Sequence, residues 1–207
     1  NVLANTRGHN MKKNKIAIAC QGGGSHTAFT AGVLKKLLEK GVHQTHDLVG
    51  LSGTSGGAIC ATATLYGLLK TANGFKAPPH KWLVEFWKAN SANSAWEKAF
   101  NAMAIGTSRL IQNGIIPSYT ADPYHTDWIM SFWQSMSPRD EFLDFQLMLE
   151  NHLDFNELQT LITPASPRLF LGAVDILSGD FKVFDSIEPE EIRAETLMAS
   201  AGLPTLF

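Results

Sequence analysis

Residues 50–58 read Gly-Leu-Ser-Gly-Thr-Ser-Gly-Gly-Ala, and the fold is organised around this stretch. It contains the pattern G-x-S-x-G, with Ser55 at the centre and Gly53 and Gly57 on either side. In this pattern the serine occupies a sharp turn from a strand into a helix. The glycines are needed because a side chain there would clash with neighbouring backbone. The pattern predicts a nucleophilic serine whose hydroxyl projects from the fold.

The residues on both sides of this turn have the expected character. Residues 47–51 form a short apolar run that predicts a buried strand, and residues 58–66 predict a buried helix. The positive end of that helix would favour a developing negative charge at Ser55. Serine and glycine also cluster in ordinary turns, so a non-catalytic turn stays open. Ser25 and Ser52 are alternative nucleophiles, but neither lies at the centre of the pattern.

A second glycine cluster, Gly22, Gly23 and Gly24, lies upstream and is called the glycine loop below. It follows the apolar run 16–20, which predicts a strand covered on both faces. It precedes residues 28–40, whose apolar spacing predicts a helix. The apolar stripe of this helix is expected to comprise Phe29, Val33, Leu34, Leu37 and Leu38.

Residues 15–66 therefore predict one strand–helix–strand–helix unit with parallel strands and a right-handed connection. The expected fold class is α/β. Both glycine clusters would lie at the carboxyl ends of adjacent strands, which is the edge where sites form in open α/β sheets.

Three consecutive glycines allow main-chain N–H groups to approach a ligand closely. One use is to cradle pyrophosphate, but a dinucleotide fingerprint needs glycine where Thr27 stands, and the Gly-Lys-Ser/Thr of a P-loop does not occur. The other use is an oxyanion hole, in which N–H groups stabilise the tetrahedral intermediate of acyl transfer. Gly22, Gly23 and Gly24 are the candidates for that role.

Composition narrows the class of protein. The 207 residues suffice for one domain, and a net charge of −2 gives no electrostatic reason to expect a nucleic-acid partner. Cys20 and Cys60 lie in apolar runs and are expected to be buried free thiols. No ligand spacing predicts a metal, and no cofactor is expected. No apolar run reaches the ~20 residues of a spanning helix. A cytoplasmic or peripheral-membrane location is therefore favoured, and the oligomeric state is not indicated.

In their order, these motifs resemble those of the patatin-like phospholipases, a family of lipid acyl hydrolases. The resemblance rests on the spacing from residues 22–24 to Ser55 and on residues 28–34 after the glycine loop. It continues in residues 163–185 and in residues 198–207, which are similar to the family's Ser-Ala-x-x-Pro-x-x-Phe block. The resemblance implies a three-layer, open, mostly parallel sheet.

The resemblance also implies a reaction. Ser55 and an aspartate would form a catalytic dyad that cleaves carboxylic esters of phospholipids through an acyl-serine intermediate. Main-chain N–H groups of the glycine loop would hold the oxyanion. The implied partners are a lipid substrate and, transiently, a membrane surface, with neither a metal nor an organic cofactor.

Three features depart from the family's pattern. His26 stands where the family usually has arginine or lysine, and Thr27 stands where it has glycine. Whether His26 provides the positive charge of the family's residue is left open. The family's aspartate lies in an Asp-Gly pair downstream of the Pro-x-x-Phe block, and this sequence contains no Asp-Gly pair. We therefore expect the dyad aspartate beyond Phe207. Asp175 follows the apolar run 169–174 and is expected to be a structural hydrogen-bonding residue.

Residues 1–14 are expected to be a leader, and residues 15–207 a single domain truncated at its C-terminus, with a helical insertion at about 71–165. Aromatic residues in the insertion either pack it on the core or line an acyl-chain groove or lid. These residues are Trp82, Phe86, Trp87, Trp96, Phe100, Tyr119, Tyr124, Trp128, Phe132 and Trp133. His125 and His152 could serve a Ser-His-Asp triad, but surface or packing roles are favoured because no motif supports them.

Two other functions stay open. A catalytically silent lipid-binding or partner-binding module would account for His26, Thr27 and the missing Asp-Gly pair. A nucleotide-binding protein would use the glycine loop, although neither nucleotide fingerprint is complete.

Overall fold

The computed structural model describes residues 13–115 and 144–202. Its strands are β1 (Lys15–Cys20), β2 (Asp47–Thr54), β3 (Arg168–Val174) and β4 (Phe181–Asp185). Its helices are α1 (Thr27–Glu39), α2 (Val42–Thr45), α3 (Gly56–Ala72), α4 (Lys81–Ala89), α5 (Ala95–Gln112), α6 (Phe145–Glu150), α7 (Phe155–Leu161) and α8 (Ala194–Ala201). Short 3-10 turns occupy Gly24–His26 and Pro189–Glu191.

The four strands form one mixed sheet in the order β1-β2-β3-β4. The first three strands are parallel, and β4 returns antiparallel beside β3. The register places Cys20 opposite Gly53 and Thr54 opposite Gly172. The carboxyl ends of the parallel strands therefore meet at one edge, where both glycine clusters lie. The prediction of an α/β fold with a mostly parallel sheet is confirmed.

Helix α3 forms the centre of the core. Its residues 56–67 are all buried, because it packs on β1, β2 and β3 and is also contacted by α1, α4, α7 and α8. A helix that is apolar on every side is typical of such a position. Small residues permit the close approach: a Cβ at Gly67 would lie 1.8 Å from the carbonyl oxygen of Pro79. The buried helix predicted after Ser55 is thus present and longer than expected.

The apolar stripe predicted for α1 is partly wrong. Phe29 is 79% exposed and Val33 is 43% exposed. The helix instead buries the face that carries Thr27, Ala31, Leu34 and Leu38. The small side chain of Ala31 lies between Thr27 and Leu34 on the face that approaches α3 and α4, whereas the larger Phe29 and Val33, one turn apart, lie on the other side. The helix ends at Glu39, and Gly41 follows it in a left-handed conformation at φ 69°.

Helices α4 to α7 follow α3 in the chain. Leu83 and Phe86 of α4 are buried, and Trp82 and Trp87 pack against the same core, while Trp96 is 53% exposed. The side chains of α4 therefore pack on the core, which was one of the two roles considered for the aromatic residues; the other was to line an acyl-chain groove or lid.

An ion pair connects α3 to α7. Lys70 Nζ lies 2.6 Å from Glu157 Oε1, and the Tyr66 hydroxyl donates to the other oxygen of the same carboxylate. Within the described part of the chain, every helix is too short or too polar to cross a membrane.

Several predictions concern residues 1–12, 116–143 and 203–207, which lie outside the described residues. They include those for His125 and for the later aromatic residues of the insertion, namely Tyr119, Tyr124, Trp128, Phe132 and Trp133.

Candidate active site

Ser55 lies between the end of β2 and the start of α3 and is partly exposed. Its backbone has φ 57° and ψ −133°, and among the described residues no other non-glycine residue has a positive φ. A conformation of this kind costs on the order of 1–3 kcal/mol and persists only where surrounding contacts enforce it. The sharp turn expected from the sequence therefore occurs at the residue expected to occupy it.

The glycines that flank Ser55 have no room for a side chain. A Cβ at Gly53 would lie 2.3 Å from the carbonyl oxygen of Gly57, and one at Gly57 would lie 2.2 Å from that of Cys20. Real Cβ atoms essentially never come within 3.0 Å of such atoms. The turn of residues 53–57, called the elbow below, thus packs backbone directly on backbone.

The glycine loop lies against this elbow. A Cβ at Gly22 would be 2.5 Å from the carbonyl oxygen of Thr54 and 3.1 Å from Ser55 Cβ. Gly23 and Gly24 have φ values of 148° and 54°, a range that side chains rarely allow. A Cβ at Gly56 would be 3.0 Å from the carbonyl oxygen of Gly24. The loop therefore meets the elbow on its strand side and on its helix side.

His26 and Thr27, the two departures from the family's loop, differ in burial. The His26 side chain is exposed, and its main-chain N–H donates to the carbonyl oxygen of Gly23 at 3.1 Å. Thr27 is 2% exposed, and its Oγ1 lies 2.5 Å from the position of a Cβ at Gly56. Within the described ranges this hydroxyl has no hydrogen-bond partner. Thr27 thus fills space beside the elbow that glycine would leave open.

Comparison with known proteins now identifies the family. The family model for patatin-like phospholipases matches residues 18–207. The chain belongs to the patatin-like phospholipase family. No curated protein matches this patatin-like chain.

One similar solved structure is a chain of the complex of full-length SpcU with full-length ExoU, from the type III secretion system of Pseudomonas aeruginosa. It is 18% identical and has a TM-score of 0.38; the match covers 93% of the patatin-like chain and 39% of the other. The chain thus spans well under half the length of that relative.

Ser200 begins the Ser-Ala-x-x-Pro-x-x-Phe block, but the sequence did not predict its part in the site. The main-chain N–H of Ser55 donates to Ser200 Oγ at 2.9 Å, and Ser200 Oγ–H donates to the carbonyl oxygen of Gly172 at 2.6 Å. The block of residues 198–207 pointed to this region of the patatin-like chain, but it gave no role to any one hydroxyl.

The carboxylates near the sheet have partners of their own. Asp175 Oδ1 accepts the N–H of Leu177 at 2.8 Å, so Asp175 has the structural role expected of it. Asp185 pairs with Arg168, whose Nε lies 2.9 Å from Oδ1, and this hydrogen bond holds the pKa of the Asp185 carboxyl below its usual range.

His152 also has a structural environment. Its Nδ1 lies 3.0 Å from the carbonyl oxygen of Met148, and its ring packs edge-on against Phe86 with 5.5 Å between the centroids. This agrees with the packing role favoured for it.

The two cysteines are free and buried, as expected. Burial raises the pKa of the Cys20 thiol to about 11 and that of Cys60 to about 12, so neither provides a thiolate nucleophile at neutral pH. No group of three potential metal ligands occurs in the part of the chain that the structure describes. A cavity lined by His46, Leu48 and Pro167 lies beside the amino ends of β2 and β3, away from Ser55.

Proposed function

We propose that this protein is a lipid acyl hydrolase that cleaves carboxylic esters of phospholipids, with Ser55 as the nucleophile. The observation that carries the proposal is the direct apposition of the glycine loop and the elbow, in which Gly22 leaves no space for a methyl group beside Thr54 and Ser55. Main-chain donors and a hydroxyl must converge in this way to act on one carbonyl group. Membership of the patatin-like phospholipase family supports a lipid as substrate.

In the proposed reaction, Ser55 Oγ attacks the ester carbonyl carbon, and an electron pair moves onto the carbonyl oxygen. N–H groups of the glycine loop and of the first turn of α3 stabilise this oxyanion, and loss of one such donor typically costs about 3 kcal/mol of barrier. The hydroxyl proton passes to an aspartate and then to the departing alcohol. Water attacks the acyl-serine next, releasing the carboxylic acid and restoring Ser55.

The base in this proposal is an aspartate, which the family resemblance implies downstream of the Pro-x-x-Phe block. Among the described residues, no aspartate or glutamate forms a hydrogen bond with Ser55, whose main-chain N–H is bonded to Ser200. A Ser–Asp dyad needs no histidine, which is consistent with the packing of His152 against Phe86.

The test compares Ser55→Ala with Ser52→Ala in the intact protein. Ser52 lies three residues earlier in β2 and serves as the matched control. Ser55→Ala should abolish both phospholipid ester hydrolysis and covalent labelling by a fluorophosphonate probe, while Ser52→Ala should keep both. Undiminished labelling of Ser55→Ala would overturn the proposal.

A catalytically silent lipid-binding module is the second candidate. It is favoured by Thr27, whose buried side chain occupies space beside Gly56. Such a module would bind phospholipid vesicles in a sedimentation assay, yet the wild-type protein would show neither ester hydrolysis nor fluorophosphonate labelling.

A further inference from the structure

We propose that Ser200 is a positioning residue, which holds the Ser55 backbone in the strained conformation that aims the nucleophile. This inference rests on the proposed function. It begins from the hydroxyl of Ser200, which lies between the N–H of Ser55, at 2.9 Å, and the carbonyl oxygen of Gly172, at 2.6 Å. An N–H group can only donate and a carbonyl oxygen can only accept, so the hydroxyl must accept from Ser55 and donate to Gly172.

The location of these bonds explains why a side chain is needed. The pairing of β2 with β3 ends at Thr54 and Gly172, and the chain turns away from the sheet at Ser55. The Ser55 N–H is therefore the first donor beyond the ladder. The Ser200 hydroxyl extends the hydrogen bonding by one group and connects this donor to the end of β3.

Ser55 is thereby held from both sides. Its N–H is bound to Ser200, and its carbonyl oxygen accepts the N–H of Ala58 at 2.8 Å, within the first turn of α3. Fixing both peptide groups fixes the direction of the Cα–Cβ bond and hence the arc available to Oγ. It also directs the Ser55 N–H towards Ser200, so that the oxyanion depends on other donors.

Ser200 is itself well supported. Helix α8 packs against β3, α3 and α6, and Ala194, Thr196 and Leu197 are buried there. The hydroxyl is thus presented by a helix that packs on three other elements, which is the support that a positioning residue requires.

The experiment compares Ser200→Ala with Ser186→Ala in the intact protein. Ser186 is the matched control, because its buried hydroxyl accepts the N–H of Leu169 at 2.8 Å, at the amino end of β3. Fluorophosphonate inactivation separates the maximal rate of Ser55 labelling from the probe's binding constant. Ser200→Ala should lower the maximal rate about tenfold, which corresponds to about 1.4 kcal/mol, without changing the binding constant. Ser186→Ala should lose comparable stability and keep the wild-type rate.

Two further measurements separate the effect of the hydroxyl from the effect of side-chain volume. Ser200→Thr should restore the rate and Ser200→Val should not, because the two side chains share a shape and only threonine has the hydroxyl. Hydrogen exchange of the Ser55 amide, followed by NMR, should be about tenfold faster in Ser200→Val than in Ser200→Thr.

Wild-type labelling and equal exchange rates in the hydroxyl-free variants would overturn the role of Ser200. If the wild-type protein is not labelled at all, the proposed function fails. In that case, faster exchange in Ser200→Val would still support the hydrogen bond between Ser200 and Ser55. The role of Ser200 in orienting a nucleophile would nevertheless be overturned.

Discussion

Replacement of Gly22 by alanine tests whether the glycine loop and the elbow are pressed together. The new methyl carbon would lie 2.5 Å from the carbonyl oxygen of Thr54, whereas ordinary contact begins at 3.4 Å, so one side must move by about 0.9 Å. The elbow side does not move freely, because Thr54 pairs with Gly172 in the sheet and Ser55 is bonded to Ser200. Overpacking of this kind costs about 1–3 kcal/mol of stability. A displacement of about 1 Å in a catalytic arrangement can slow a reaction about 100-fold.

The assay combines urea unfolding with the rate of fluorophosphonate labelling at Ser55. Gly32→Ala is the matched control, since Gly32 lies within α1 and a Cβ there would meet no atom within 4 Å. That substitution should stabilise the protein by about 0.5–1 kcal/mol and leave the labelling rate unchanged. Labelling of Gly22→Ala at the wild-type rate, with undiminished stability, would refute the apposition of loop and elbow.

Two further predictions concern Glu157 and His152. Hydrogen bonds from Lys70 and Tyr66 hold the pKa of Glu157 below its usual 4.5, so its contribution to stability is complete above that pH and is lost as the pH falls through the folded-state pKa. Glu157→Gln should therefore be less stable than the wild type at neutral pH, and the difference should shrink as the pH falls below the usual glutamate pKa in urea titrations; a constant difference would contradict this. His152→Ala should lose about 0.5–3 kcal/mol of stability but keep the labelling rate, because His152 packs on Phe86; a folded variant without labelling would favour a histidine-containing triad instead.

The sequence was sufficient to predict the elements that carry the candidate site. A serine between two glycines, with an apolar run before it and a buried helix after it, has few structural solutions, and φ 57° at Ser55 is one of them. The order of strand, glycine loop, helix and strand likewise predicted that both clusters lie at one edge of the sheet. Local patterns were enough here because each motif lies within a single turn and its two neighbouring elements.

The features that escaped prediction depend on contacts between distant parts of the chain. Ser55 and Ser200 are separated by 145 positions. Ser200 begins the Ser-Ala-x-x-Pro-x-x-Phe block, but the pattern does not show which group its hydroxyl contacts. The apolar stripe of α1 failed for a related reason. Spacing alone did not show that the small Ala31 faces α3 and α4 while Phe29 is 79% exposed.

The left-handed backbone at Ser55 links the thermal stability of the protein to its proposed activity. Glycine would adopt φ 57° with no penalty from a side chain, so Ser55→Gly should be the more stable protein and, under the proposed function, an inactive one. If Ser55 is the proposed nucleophile, selection for heat resistance alone would favour glycine at this position, and only selection for turnover would keep the serine.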